Sequence, residues 1–251
     1  MIEHQVDIVT AGGVMDAFVA HPERDGPFPV IFFYMDAPGI REELRDMARR
    51  LAAAGYTVVL PNLYYRAGTG TMFDQPQLRT EGPERERMWQ LMASLTNALV
   101  MDDTRALLAF VDEQPYARVD RIGCVGYCMS GQFVFTAAAE FRDRITAMAS
   151  MYGVGLVTDR PDSPHLRAGR ITAEMYFGCA EVDSYAPPEV VIALERALLA
   201  TDTTFEIELY PGTEHGFAFP KRPVYDKAAA ERHWERLFAL FHRRLMGREP
   251  R

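Results

Sequence analysis

The feature that most constrains this chain is a repeated change of hydrophobic period, from short runs that are apolar at every position to segments that are apolar at every third or fourth. Pro29-Val30-Ile31-Phe32-Phe33-Tyr34 shows no polar alternation, which suits a strand buried on both faces. Glu42–Ala54 follows, with Leu44, Met47, Leu51 and Ala54 at helical spacing and Gly55 as a C-cap. A second buried run, Tyr56–Pro61, completes a strand, helix, strand order that implies parallel pairing. The exchange recurs downstream. Strands are predicted at Val119–Gly126, Ile145–Tyr152, Ile171–Phe177 and Phe205–Tyr210, and helices at Met129–Phe141, Pro188–Ala200 and Asp226–Leu245. Glu84 to Gln114 is patterned as helix, divisible into two. Val6–Thr10 and Met15–His21 around Ala11-Gly12-Gly13 read as a hairpin at a sheet edge. Asn62–Pro83, rich in Gly and Pro, is a loop long enough to suggest a functional cover. The predicted class is α/β, a doubly wound, mostly parallel sheet with helices on both faces, in a single domain over residues 1–251.

Charge and cysteine usage narrow the function classes. Lys and Arg number 27 against 35 Asp and Glu, a formal charge of −8, which argues against a nucleic-acid binder. No apolar run reaches the ~18 residues of a spanning helix, and Met1–Thr10 carries Glu3, His4 and Asp7 where a signal peptide needs a basic start. A cytoplasmic protein with no membrane partner is the expectation. The three cysteines, Cys124, Cys128 and Cys179, do not suit a disulfide framework, and no Cys/His spacing suggests a metal.

Gly126-Tyr127-Cys128-Met129-Ser130-Gly131 falls between a predicted strand and a predicted helix, where a G-x-nucleophile-x-G elbow belongs. A nucleophile on that sharp turn needs small residues two before and two after it, as Gly126 and Ser130 are. Cys128 is therefore the candidate nucleophile, favoured as thiolate by the helix N-terminus, with the backbone N–H of Met129 as an oxyanion donor. Ser130, one residue into the helix region with the larger Gln132 two places on, fits the elbow less well. Cys124 and Cys179 read as small buried hydrophobes.

Among six histidines only His215 lies just after a late predicted strand, in Glu214-His215-Gly216-Phe217. It is the candidate base, because elbow hydrolases run nucleophile, acid, histidine along the chain. The acid then falls in Gly178–Pro187, which offers Glu181 and Asp183. Asp183 is preferred, since Pro187 stands four places after it, as is common for an acid in this loop.

With these residues in place the chain resembles the dienelactone hydrolase (carboxymethylenebutenolidase) family of α/β-hydrolases. Gly-Tyr-Cys at 126–128, Leu63-Tyr64-Tyr65-Arg66, the Asp183 loop, His215-Gly216-Phe217 and the Ala-rich start of the last helix carry the resemblance. It implies a Cys-His-Asp triad that hydrolyses a small-molecule ester or lactone without a cofactor. It also implies that Asp36, three positions before Gly39 where well-known members have Glu, takes part in activating the thiol, and that the Ala37 N–H is a second oxyanion donor. The bare sequence alternative for Asp36 is a turn or cap at a strand end.

Members acting on dienelactone hold its carboxylate with two arginines. Arg85 matches the first and Trp89 stands where a Tyr would be, but Phe219 occupies the second position, and Lys221 or Arg222 nearby is either its replacement or a solvated charge. Loss of half the clamp favours a less anionic substrate, with Phe219 and Trp89 adding apolar surface. The rival readings are a non-catalytic small-molecule binder and a thiol redox sensor on the same fold. The sequence leaves the oligomeric state open.

Overall fold

The computed structural model describes residues 1–78 and 80–247, so Arg79, within the predicted Asn62–Pro83 loop, lies outside them. The chain divides into two compact units, Met1–Arg118 and Val119–Arg251.

In the first unit, β1 (Ile2–Thr10) and β2 (Gly13–His21) pair antiparallel from Ile2↔His21 to Thr10↔Gly13. The hairpin strand starts four residues earlier than Val6. Ile2, His4, Val6 and Ile8 alternate with Glu3, Gln5 and Asp7, a period-2 signal masked by its charges, and only Ile8 of β1 is buried. β2 pairs antiparallel with β4 (Thr57–Pro61), which pairs parallel with β3 (Phe28–Tyr34), giving the order β1-β2-β4-β3. Every residue of β4 and all but the first of β3 are inside, as their apolar runs require, and the one polar member, Thr57, donates its hydroxyl to the Tyr116 carbonyl at 3.2 Å.

Between β3 and β4, α1 (Glu42–Ala53) buries Leu44, Met47, Ala48 and Leu51 against β2 and β4, and the chain then turns at Gly55, whose φ of +99° few L-residues adopt. The patterned stretch after residue 83 forms two helices, α2 (Pro83–Ser94) and α3 (Asn97–Asp112). Thr96 starts the second, its side chain accepting the Leu99 N–H at 3.1 Å. The preceding loop is tied down rather than loose. Asp16 accepts from Asn62 Nδ2 at 2.8 Å and from the Gly70 N–H at 3.0 Å, and the Phe73 N–H reaches the Pro38 carbonyl at 2.8 Å.

In the second unit β5 (Ala117–Tyr127), β6 (Ile145–Met151), β7 (Glu174–Val182) and β8 (Phe205–Glu214) pair parallel in that order. The helices are α4 (Gly131–Glu140), α5 (Pro188–Leu199) and α6 (Lys227–Phe241), the last capped by Asp226 and followed by a π-helical turn, His242–Met246. Two glycines of β5 show that helices cover both its faces. A Cβ on Gly123 would meet Phe241 and Leu245 at 2.9 Å, whereas one on Gly126, three residues on and so on the other face, would meet Val134 of α4 at 2.9 Å. The class is α/β with mostly parallel strands, as predicted. Two strands run longer than their apolar cores suggest. β7 begins at Glu174 rather than Ile171 but continues to Val182, and β8 continues four residues past Tyr210, because the two stay paired through a bulge to Val182↔Glu214.

Candidate active site

β5 ends at Tyr127 and the next residue, Cys128, has φ +56°, a left-handed conformation that costs a non-glycine residue about 1–3 kcal/mol. A short 3-10 turn, Cys128–Ser130, leads into α4. The turn is held from outside by the Val154 N–H, which donates to the Cys128 carbonyl at 2.8 Å. Close approach explains its glycines. A Cβ on Gly126 would lie 2.7 Å from the Ser130 carbonyl oxygen, and one on Gly131 would lie 2.4 Å from Gly153 Cα. Ser130 is fully buried, and Met129, second in the turn, is 2% exposed. Cys128 itself is half-buried.

His215 follows β8 directly, and Asp183 follows β7 directly. Since Val182 and Glu214 are register partners, the next residue of each strand comes side by side. His215 Nδ1 lies 2.7 Å from Asp183 Oδ2, while Asp183 Oδ1 accepts the Tyr185 and Ala186 N–H groups at 2.8 and 3.1 Å. With a carboxylate as partner, Nδ1 carries the proton. Glu181, still on β7, instead accepts the Gly212 N–H at 2.7 Å. The carboxylate next to the imidazole is thus Asp183.

The electrostatics bind Cys128 to the same pair. Burial pulls the His215 pKa down, but the negative charge of Cys128 and the hydrogen bond to Asp183 outweigh it and push it up to about 9. Burial raises Asp183, yet its bond to His215, the imidazolium charge and the two backbone donors hold it below the usual aspartate range. His215 Nε2 is buried and closes no hydrogen bond of normal geometry. The two other thiols are poor nucleophiles. Burial pushes Cys179 up to about 12, with the Asp183 charge adding to it, and Cys124, wholly buried with its thiol toward the Val134 carbonyl, is raised further.

Sequence reasoning missed the two tyrosines around the imidazole. Tyr152, with φ +38°, packs edge-on to His215 at 5.0 Å from inside, and Tyr185 lies 4.8 Å away and is 47% exposed. The available signal for Tyr152 was its place at the carboxyl end of a predicted strand. Asp183 lines, with Ser150, Tyr152, Phe177, Cys179 and Leu194, a small cavity of about 10 Å³, room for at most one water.

The remaining candidates are placed as follows. Asp36, fully buried after β3, is held by both terminal nitrogens of Arg41, at 2.6 and 3.2 Å, and Arg41 also bonds Glu43 at 2.7 Å. Burial lowers the Arg41 pKa, but the two carboxylates outweigh it and raise it. Arg41 and Glu43 were missed, although an Arg beside Ile40 just ahead of an amphipathic helix was a legible sign. The peptide of Ala37 is also fixed, its carbonyl accepting from Tyr64 Oη at 2.9 Å. Arg85 and Trp89 share α2 and line an open groove of about 750 Å³ with Glu81, Gly82, Pro83 and Glu86. Phe219 is placed differently from the expectation of a substrate-contacting surface. It is 0% exposed, packed on Tyr127 and Tyr152 at ring distances of 5.4 and 6.2 Å, because the chain after Gly216 turns inward. Above its ring, at 4.7 Å, sits the Arg222 guanidinium, close against Gly216. Lys221 is exposed. Among the described residues no group of three or more His, Cys, Asp or Glu is set to hold a metal, and no helix is long and apolar enough to cross a membrane.

A left-handed residue between a buried parallel strand and a helix, on a chain with this strand order, defines the class as α/β-hydrolase. The family model described as "Dienelactone hydrolase family" matches residues 15–245, and the chain belongs to that family. Relatives include a protein of Escherichia coli K12, 30% identical over 93% of this chain and 84% of its own, and one of Synechocystis, 27% identical over 91% of each, both provisionally named carboxymethylenebutenolidases. A crystal structure from Klebsiella pneumoniae, provisionally titled a dienelactone hydrolase, superposes with a TM-score of 0.84 at 26% identity, covering 96% of this chain and 98% of that one. The protein is a hydrolase of the ester or lactone class.

Proposed function

We propose that the chain hydrolyses its ester or lactone with Cys128 as nucleophile, His215 as acid and base, and Asp183 as the group that orients His215. The observation that carries this reading is the Asp183–His215 bond of 2.7 Å on an imidazole whose pKa is raised by Cys128. The thiolate attacks the carbonyl carbon and the carbonyl π pair moves onto oxygen, toward the Met129 N–H. Collapse expels the alcohol oxygen, which takes its proton from the His215 imidazolium. His215 then removes a proton from water, the hydroxide attacks the thioester, and the thiolate leaves. The proposal also gives Asp36, the Ala37 N–H, Arg85 and Trp89 the parts the family resemblance assigns them, with Arg41 holding Asp36 in place. No cofactor enters the scheme.

A stoichiometric burst with an activated aryl ester tests the reading. It should vanish in Cys128→Ala and survive in Cys124→Ala and Cys179→Ala. A burst retained by Cys128→Ala would remove the proposal and leave a binding or sensing role.

The preferred substrate follows from position 219. A buried phenyl ring cannot pair a carboxylate, whose desolvation calls for charged bidentate partners. Neutral esters and lactones should therefore show a higher kcat/KM than dienelactone. A wild-type preference for dienelactone that is lost in Arg222→Gln would overturn this and make Arg222, next to the His215 turn, the replacement cation.

A further inference from the structure

The residue before the nucleophile is tied to a histidine that the mechanism above does not use. His233, on α6, is 0% exposed, and its Nε2 lies 3.0 Å from Tyr127 Oη. Its other nitrogen, Nδ1, meets the Ala230 carbonyl one turn earlier in the same helix. A carbonyl only accepts, so Nδ1 donates to Ala230, and in the neutral imidazole Nε2 then accepts from the Tyr127 hydroxyl.

Tyr127 is the last residue of β5, and its neighbour Cys128 has φ +56°. A strained turn persists only where its surroundings fix it. Here the Val154 N–H holds the Cys128 carbonyl on one side, and the Tyr127 side chain, 1% exposed, anchors the strand end to α6 on the other. The same phenol ring lies 5.9 Å from Tyr152, whose ring in turn packs edge-on against His215 at 5.0 Å. One hydrogen bond therefore sits behind both the turn that carries the thiol and the ring that backs the imidazole.

We propose that His233 is a positioning residue, which acts through the Tyr127 hydroxyl to hold Cys128 and His215 at their working separation. This rests on the assignment of Cys128 as nucleophile. The test is a double-mutant cycle of His233→Leu and Tyr127→Phe, read by the acylation burst rate, KM and the pH profile of Cys128 alkylation by iodoacetamide. Each single variant should slow the burst roughly tenfold or more, change KM less than about twofold, and alter the alkylation profile as Cys128 and His215 move apart. The double variant should be no slower than the worse single one, since both remove the same bond. Should His233→Leu fail to fold, Tyr127→Phe, which loses only a hydroxyl, still gives the burst and the profile, and His233→Asn, which keeps an acceptor, should recover part of the rate. A lower Tm with unchanged burst rate and alkylation profile, or strictly additive losses, would overturn the proposal by making the bond structural only. A burst that persists in Cys128→Ala would instead overturn the assignment beneath it, and the positioning role with it.

Discussion

His215 carries the clearest consequences at the scale of single residues. Its pKa stands at about 9 because Cys128 and Asp183 favour the imidazolium more than burial opposes it. An NMR titration of His215 should find a raised value in the wild type and a lower one in Cys128→Ala, where the largest favourable influence is gone. The acylation rate should fall as pH rises through about 9, since the imidazolium is both counter-ion and proton donor. A profile flat to pH 10 would contradict the pairing. For the acid, Asp183→Asn leaves a partner that cannot stabilise imidazolium, and a loss of several orders of magnitude in kcat is expected, as in other triads. Glu181→Gln, whose carboxylate only meets the Gly212 N–H, should cost little by the same assay.

At the scale of elements, the junction of β5 and α4 depends on close backbone approach. A Cβ on Gly126 would stand 2.7 Å from the Ser130 carbonyl oxygen, a backbone atom that moves only if the turn moves. Gly126→Ala should therefore destabilise the protein by about 1–3 kcal/mol and lower the burst amplitude together with Tm, measured on the same sample. The helix starts respond on a different scale. Thr96 and Asp226 each accept one N–H of the first turn of α3 and α6, so Thr96→Ala or Asp226→Ala should cost about 0.5–2 kcal/mol in a denaturant titration and leave the burst rate unchanged. An altered burst with unaltered stability would mean that these caps serve the site rather than the helix.

For the molecule as a whole, the Asp183–His215 pair links stability to pH in two windows. Asp183 sits below its ordinary 3.8, so its contribution is present above that value and is lost as pH falls through the lowered folded value. His215 is raised from 6.5 to about 9, so its contribution is complete below 6.5 and is lost as pH rises through about 9. Tm should be highest between these limits, and Asp183→Asn should remove the acid shoulder and weaken the alkaline one, which Cys128 still supports; unchanged shoulders in that variant would assign them to other groups. The sequence by itself determined the α/β class, since hydrophobic period is local and Val30–Tyr34 and Val58–Pro61 are apolar at every position. It also determined where a sharp turn must come, through the small residues around Cys128. What it left undecided depends on partners distant in the chain. The reach of β7 and β8 past their apolar cores follows from each pairing with the other, and that register, Val182↔Glu214, is what brings Asp183 rather than Glu181 to His215. The enclosure of Phe219, the clasp of Arg41 on Asp36 and the bond from Tyr127 to His233 likewise arise only when separate elements meet, because burial and hydrogen bonding belong to the space between side chains and not to any one residue's type.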